Sequence, residues 1–273
     1  MHSDQAAVER RSGPAAVAAV ATRDRYIILI CLAIITGLSW AYLVHISTHP
    51  SSELEYARMM AAMGMAVDRP WNALDGLLTF AMWSVMMVGM MTGSAAPMLL
   101  FFAGAQAKRQ ASGRSLRVLL FGLGYLAIWA GFSAIATFSQ WALQRASLLS
   151  DTLAASSPRV AAAIVTIAGV YQLTPFKGAC LSHCRSPLGF LMTHWRDGVS
   201  GAFRMGASHG LFCLGCCWAL MIVLFAIGVM NLAWVAALTV LVLIEKLTPA
   251  GLVLSRVAGL AMIGFGLSLW LKT

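Results

Sequence analysis

Charged side chains are scarce in this chain. Only 11% of its 273 residues are Asp, Glu, Lys or Arg, while 60% are hydrophobic and the mean hydropathy is +0.79. That balance excludes an ordinary soluble domain and implies an integral membrane protein. Acids are scarcer than bases, 10 against 19, which leaves a formal charge of +9. The bases sit in short segments between apolar runs, where they set topology, so the positive charge does not signal a nucleic-acid partner. Neither a glycine-rich phosphate loop, nor a nucleotide motif, nor a hydrolytic triad is present, which argues against an ATP-driven pump and against hydrolysis. No long internal repeat suggests the inverted halves of a secondary transporter. The first apolar run lacks a small-residue cleavage site and reads as a retained helix rather than a secretory signal.

The apolar runs cover residues 26–46, 76–105, 116–143, 159–174, 206–230, 231–247 and 251–271. A span needs about 20 residues. The expected fold is therefore all-α, a polytopic transmembrane helical bundle of about seven spans, or about six if the fifth and sixth are re-entrant. Arg10, Arg11, Arg23 and Arg25 precede the first run, which places the N-terminus on the cytoplasmic side of the cell inner membrane by the positive-inside rule. Residues 1–22 read as a disordered cytoplasmic tail and 23–273 as a single transmembrane domain. Within that domain, 47–76 reads as an extracytoplasmic Met-rich segment and 175–204 as a cytoplasmic Cys/His loop. Pro97 inside the second run predicts a kink or tilt.

The chain is organised around residues 206–218, GASHGLFCLGCCW. At about 100° per residue, His209, Cys213, Cys216 and Cys217 fall within one arc of a helix. Thiolates are soft donors for Cu(I), Zn(II) or iron-sulfur iron, and an imidazole is a borderline one. The alternative is packing, since Cys is a small apolar residue and Gly206 and Gly210 form a GxxxG pair that lets helices approach. A second motif, CLSHC, carries Cys180, His183 and Cys184 at a spacing that one helical turn can direct to one point. It has no partner pair of the zinc-finger kind in the same loop, so a soft-metal site, alone or shared with the helix ladder, suits it better.

Methionine is the third signal. More than half of the 16 Met residues lie between Met59 and Met91, beginning with Met59, Met60, Met63 and Met65. Met82, Met86 and Met90 recur every four residues, and Met87 and Met91 widen the stripe. Thioethers can hold Cu(I) in a membrane without bringing charge into it. Flexible packing is the competing explanation. Glu245, Lys246 and Lys177 are sparse charges near the inner ends of helices, where a structural ion pair is the default. His194 and His2 stand in no motif.

The segments WSVMMVGMM (83–91), YQLTPFKGACLSHCRSP (171–187), GLFCLGCCWALM (210–221) and EKLTPAG (245–251) resemble a bacterial family of predicted metal-binding integral membrane proteins. Some of its members are proposed as membrane copper chaperones for copper enzymes such as tyrosinase. The resemblance spans roughly residues 75–270 and implies a metal-handling role with copper as the leading metal. Together the signals predict a membrane protein that binds Cu(I), with zinc or another soft metal as the alternatives, and delivers it to a copper enzyme or a soluble metallochaperone. Lipid is its other partner, and neither nucleotide nor nucleic acid is expected. The expected ligands are His209, Cys213, Cys216, Cys217, Cys180, His183, Cys184, Met82, Met86, Met87, Met90 and Met91, with no catalytic residues. Two rival readings are a thiol oxidoreductase cycling Cys213 and Cys216 with a quinone, and a structural subunit whose sulfurs only pack.

Overall fold

The structure, a computed structural model, describes residues 22–49, 59, 71–109, 113–149 and 154–272. The expected tail, apart from Thr22, and Met60, Met63 and Met65 of the Met-rich segment lie outside the described residues. The described residues form helices α1 (Thr22–Thr48), α2 (Ala73–Lys108), α3 (Arg114–Arg145), α4 (Pro158–Leu173), α5 (Pro175–Arg185) and α6 (Pro187–His194). After these come α7 (Gly198–Ile222), the single turn α8 (Leu224–Ile227), α9 (Leu232–Leu247) and α10 (Gly251–Leu271). No strand forms among the described residues. The class is all-α, as expected.

Among the described residues, five helices are long and apolar enough to cross a membrane: α1, α2, α3, α7 with its continuation α8, and α10. The pair α4 and α5, bent by 64° at the junction, makes a sixth if it is one broken span. The count is thus five or six where the apolar runs suggest about seven. The difference arises at two places. Pro175 follows the fourth run directly, and α4 has only 16 residues before the chain bends into α5. The apolar stretch after Gly206 divides unequally, leaving 16 residues for α9, about 24 Å of helix against a hydrocarbon layer of about 30 Å.

Residues 175–204, expected as a loop, are helical. Thr174 caps α5, its hydroxyl accepting from Lys177 N at 3.4 Å, and Pro175 occupies the first turn. Pro187 likewise stands in the first turn of α6, where Ser186 makes no side-chain capping bond. A proline at the first helical position loses no hydrogen bond and has the right φ already. The polarity of this segment belongs to short helices rather than to irregular chain.

Helix α2 begins with a reciprocal cap, Asn72 Oδ1 accepting from Asp75 N at 2.9 Å and Asp75 Oδ2 from Asn72 N at 3.0 Å. It then runs unbroken past Pro97. The outer surface of the bundle is apolar: Ile27, Ile30, Ile34 and Leu38 of α1 and Leu260 and Phe265 of α10 are exposed. Helices that are apolar on every side are stable in lipid, where such residues need no protein partner.

Small residues set the closest approaches. The most extensive pairing is α3 with α7. A Cβ at Gly206 would collide with the Phe121 backbone, and one at Gly124 with the backbone of Phe203 and Ala207. Helices α4 and α10 meet likewise, with a Cβ at Gly169 falling 2.8 Å from Gly259 O. Between lipid-solvated helices this backbone proximity replaces the hydrophobic effect as the source of packing energy. Gly206→Ala is therefore expected to separate α3 from α7 and to cost about 1–3 kcal/mol, seen as a lower midpoint of thermal unfolding in detergent. An unchanged midpoint would show that the interface can relax around a methyl group.

Candidate metal centre

The α3–α7 contact and the α2 stripe enclose one buried core. It holds Trp83, Met86, Met87, Met90 and Met91 of α2, Tyr125 and Trp129 of α3, and Cys213, Cys216 and Cys217 of α7, with Cys180 and Cys184 of α5 packed against it. The helical spacing of the three α7 cysteines thus becomes a buried face. Three segments distant in sequence deliver sulfur to the same place.

Met91 brings the stripe to the ladder, with Cys217 Sγ 3.9 Å from Met91 Sδ. Met86, Met87 and Met90 are buried in the same core, and Met82 lies half-buried at its margin. Cys184, half-buried, packs against the core that holds Cys213 and Cys216. Cys180 lies against α7 at Gly215, where a Cβ would come within 2.7 Å of its sulfur. Gly215 also accepts from Tyr171 Oη through its carbonyl. All six cysteines are free thiols. Cys216 and Cys217 donate to Cys213 O at 3.1 and 2.9 Å, the back-bonding open to a short polar side chain inside a helix.

Two residues outside the expected set complete the cluster. Lys246 of α9 is buried, and its Nζ lies 2.9 Å from Cys213 Sγ, 3.8 Å from Met91 Sδ, 4.0 Å from Cys217 Sγ and 3.3 Å from Ser94 Oγ. Tyr125 Oη is 3.1 Å from Cys213 Sγ and donates to Met91 O at 3.2 Å. Lys246 could have been suspected, because an ionisable residue in an apolar span points to function by default. Nothing in the sequence around Tyr125 distinguishes it from a packing aromatic.

The imidazoles go elsewhere. His209, one turn before Cys213, is buried among Phe121, Tyr125 and Phe190, and its Nδ1 has no hydrogen-bond partner. His183 stacks on Phe212 with ring centroids 4.4 Å apart and bonds through Nδ1 to Ala179 O at 2.9 Å. If Nδ1 carries the proton, Nε2 remains as its ligand nitrogen. The motif CLSHC is therefore divided: Cys184 turns to the α7 thiols, Cys180 to Gly215, and His183 to an aromatic group that includes His194, whose ring centroid is 6.2 Å away. His194 stands in no motif, and it reaches this group from the end of α6, where it stacks on Phe190.

Beside the sulfur cluster lies a buried ion pair. Lys177 Nζ is 2.7 Å from Glu245 Oε2 and also donates to Gln172 Oε1, which accepts from Ser255 Oγ at 3.3 Å. The structural ion pair is present, but the partner of Glu245 is Lys177. The adjacent Lys246 points to the thiols instead.

Among the described residues, no three His, Cys, Asp or Glu side chains stand ready to enclose a metal ion. The donor chemistry nevertheless suits a soft ion. It combines buried thiols, one thioether within 4 Å of them and an imidazole nitrogen left unpartnered in a dry core, where an orphaned polar atom is costly. Closing a coordination sphere would need rotation of Cys216 and Cys217 away from Cys213 O and a swing of Lys246 Nζ about Cys213 Sγ, from which it lies 2.9 Å.

No curated protein and no solved structure matches the chain. The family model described as "PpoB2: Copper chaperone" matches residues 80–269. That match takes in α2 from Phe80 onward, the cysteine-bearing α5 and α7, and Lys246 on α9. With well over half its length covered, including every segment that supplies sulfur to the core, the chain belongs to the PpoB2 copper chaperone family.

Proposed function

We propose that the protein lies in the bacterial inner membrane with its N-terminus in the cytoplasm, holds Cu(I) on its buried sulfur cluster and delivers it to a partner copper enzyme or soluble metallochaperone. The observation that carries this reading is the convergence of Met91, Cys184, Cys213 and Cys217 from three helices on one buried place. Adjacent rungs on a single helix point side by side and cannot surround an ion. Rungs from three helices can.

Cys213, Cys216, Cys217 and Cys184 form the tight site in this proposal, with His209 as a further donor. Met82, Met86, Met87, Met90 and Met91 offer weaker, exchangeable thioethers along α2. Cys180 and His183 stand at the end where α5 and α6 meet α7 and accept or release the ion. Transfer proceeds by ligand exchange, each incoming sulfur bonding before the outgoing one leaves, so that bare Cu(I) is never free. Thiols lose their protons as they bind the ion, which makes loading depend on pH.

The test is transfer. Reduced protein in detergent is loaded with one equivalent of Cu(I) and mixed with metal-free tyrosinase under anaerobic conditions. The copper is expected to move to the enzyme and confer activity faster than copper released from a small-molecule chelator of equal affinity. Copper that stays on the membrane protein would contradict delivery. A protein that binds no Cu(I) but forms a Cys213–Cys216 disulfide with quinone would instead be a thiol oxidoreductase.

A further inference from the structure

Among the described residues, Lys246 is the one cation in contact with the cluster's sulfurs, and its place is unusual. It is buried in an apolar 16-residue helix. The neighbouring carboxylate, Glu245, is turned away to Lys177 at 2.7 Å. The acceptors around Nζ are the Ser94 hydroxyl at 3.3 Å and three sulfurs, Cys213 at 2.9 Å, Met91 at 3.8 Å and Cys217 at 4.0 Å. An ammonium has three donors and no acceptor. In a dry site it must be balanced by negative charge, and the acidic groups in direct contact with it are the Cys213 and Cys217 thiols.

We propose that Lys246 is a specificity-determining residue: its fixed positive charge among Cys213, Cys217 and Met91 makes the site accept a monovalent soft ion in preference to a divalent one. The inference rests on the proposed soft-metal site and adds to it the charge class of the ion. A metal bonded to Cys213 at about 2.3 Å lies within about 5 Å of Nζ however the lysine swings about that sulfur. At that separation and an effective dielectric of about 20, repulsion weakens binding by between two and three orders of magnitude for each unit of metal charge. A monovalent ion meets that penalty once and a divalent ion twice.

The test compares affinities for Cu(I) and Zn(II), measured by chelator competition on reduced full-length protein in detergent, for wild type, Lys246→Met and Lys246→Arg. Met matches the length of Lys without its charge. Lys246→Met is expected to raise the ratio of Zn(II) to Cu(I) affinity by about a hundredfold to a thousandfold, while Lys246→Arg, which keeps the charge, changes it by less than about tenfold. A ratio unchanged in Lys246→Met, or shifted equally in both variants, would overturn the proposal. If Lys246→Met does not fold, Lys246→Gln carries the same neutral comparison. A wild-type protein that binds Cu(I) through these thiols but fails the ratio test removes only the role of Lys246. One whose Cu(I) binding is indifferent to the thiols removes the metal site itself.

Discussion

Cys213→Ser combined with Cys217→Ser is expected to lower Cu(I) affinity by about ten-thousandfold. Four-ligand structural zinc sites bind with about 10–16 kcal/mol, or roughly 3 kcal/mol for each donor, and two lost donors correspond to about four orders of magnitude. The thiolate matters because a soft ion gains little from a hydroxyl. Folding is spared, since Ser is close in size and a hydroxyl at position 217 can make the bond to the residue 213 carbonyl that Cys217 makes at 2.9 Å. Chelator competition reads the affinity, and an unchanged unfolding midpoint confirms that the fold persists. Cys31→Ser, on the exposed face of α1, is expected to leave the affinity unchanged. Equal losses in both variants would mean that copper binds adventitiously to thiols in general.

The second large effect concerns the ion pair that holds α5 against α9. Lys177→Met leaves the Glu245 carboxylate buried with its partner gone, and removal of one member of a buried pair costs about 3–5 kcal/mol. The double variant Lys177→Met, Glu245→Gln removes both charges together and is expected to recover most of that loss. Thermal unfolding in detergent distinguishes the two. If single and double variants are equally destabilised, the loss comes from packing around Gln172 and Ser255 rather than from a stranded charge. The pair also has a positional role. Glu245 and Lys246 are successive residues about 100° apart on α9, so anchoring Glu245 to Lys177 aims Lys246 at the thiols. Lys177→Met should therefore loosen the thiol site as well as the fold.

Periodicity made part of this architecture legible in the sequence. The spacing of Cys213, Cys216 and Cys217 predicted a shared helix face, and the face is buried. The four-residue recurrence of Met82, Met86 and Met90 predicted a stripe, and its inner members are in the core with the thiols. What one helix presents can be read from its own repeat. The partners that face it leave no such trace: Lys246, Tyr125 and Met91 reach the α7 thiols from 33, 88 and 126 residues away. That is why the sequence does not single out Met91, a widening of the stripe, as its member in contact with the ladder, and why Lys246 resembles an interfacial ion-pair residue there.

The segment 175–204 shows a different kind of illegibility. Its bases and prolines resemble a loop by composition, but Pro175 and Pro187 each follow a hydroxyl residue and stand where a helix begins. That turn of phase sends Cys184 to the thiols while His183, its immediate neighbour, stacks on Phe212. A short motif fixes which donors are near one another along the chain. The fold decides which of them face the same way.

The most direct measurement is X-ray absorption at the copper edge on reduced, full-length protein loaded with Cu(I) and washed free of excess metal, with total copper determined on the same sample. The account predicts near-stoichiometric copper in a first shell dominated by two or three sulfurs, lost in the Cys213→Ser, Cys217→Ser variant. Protein that retains no copper, or retains it with only nitrogen and oxygen neighbours, would contradict the account.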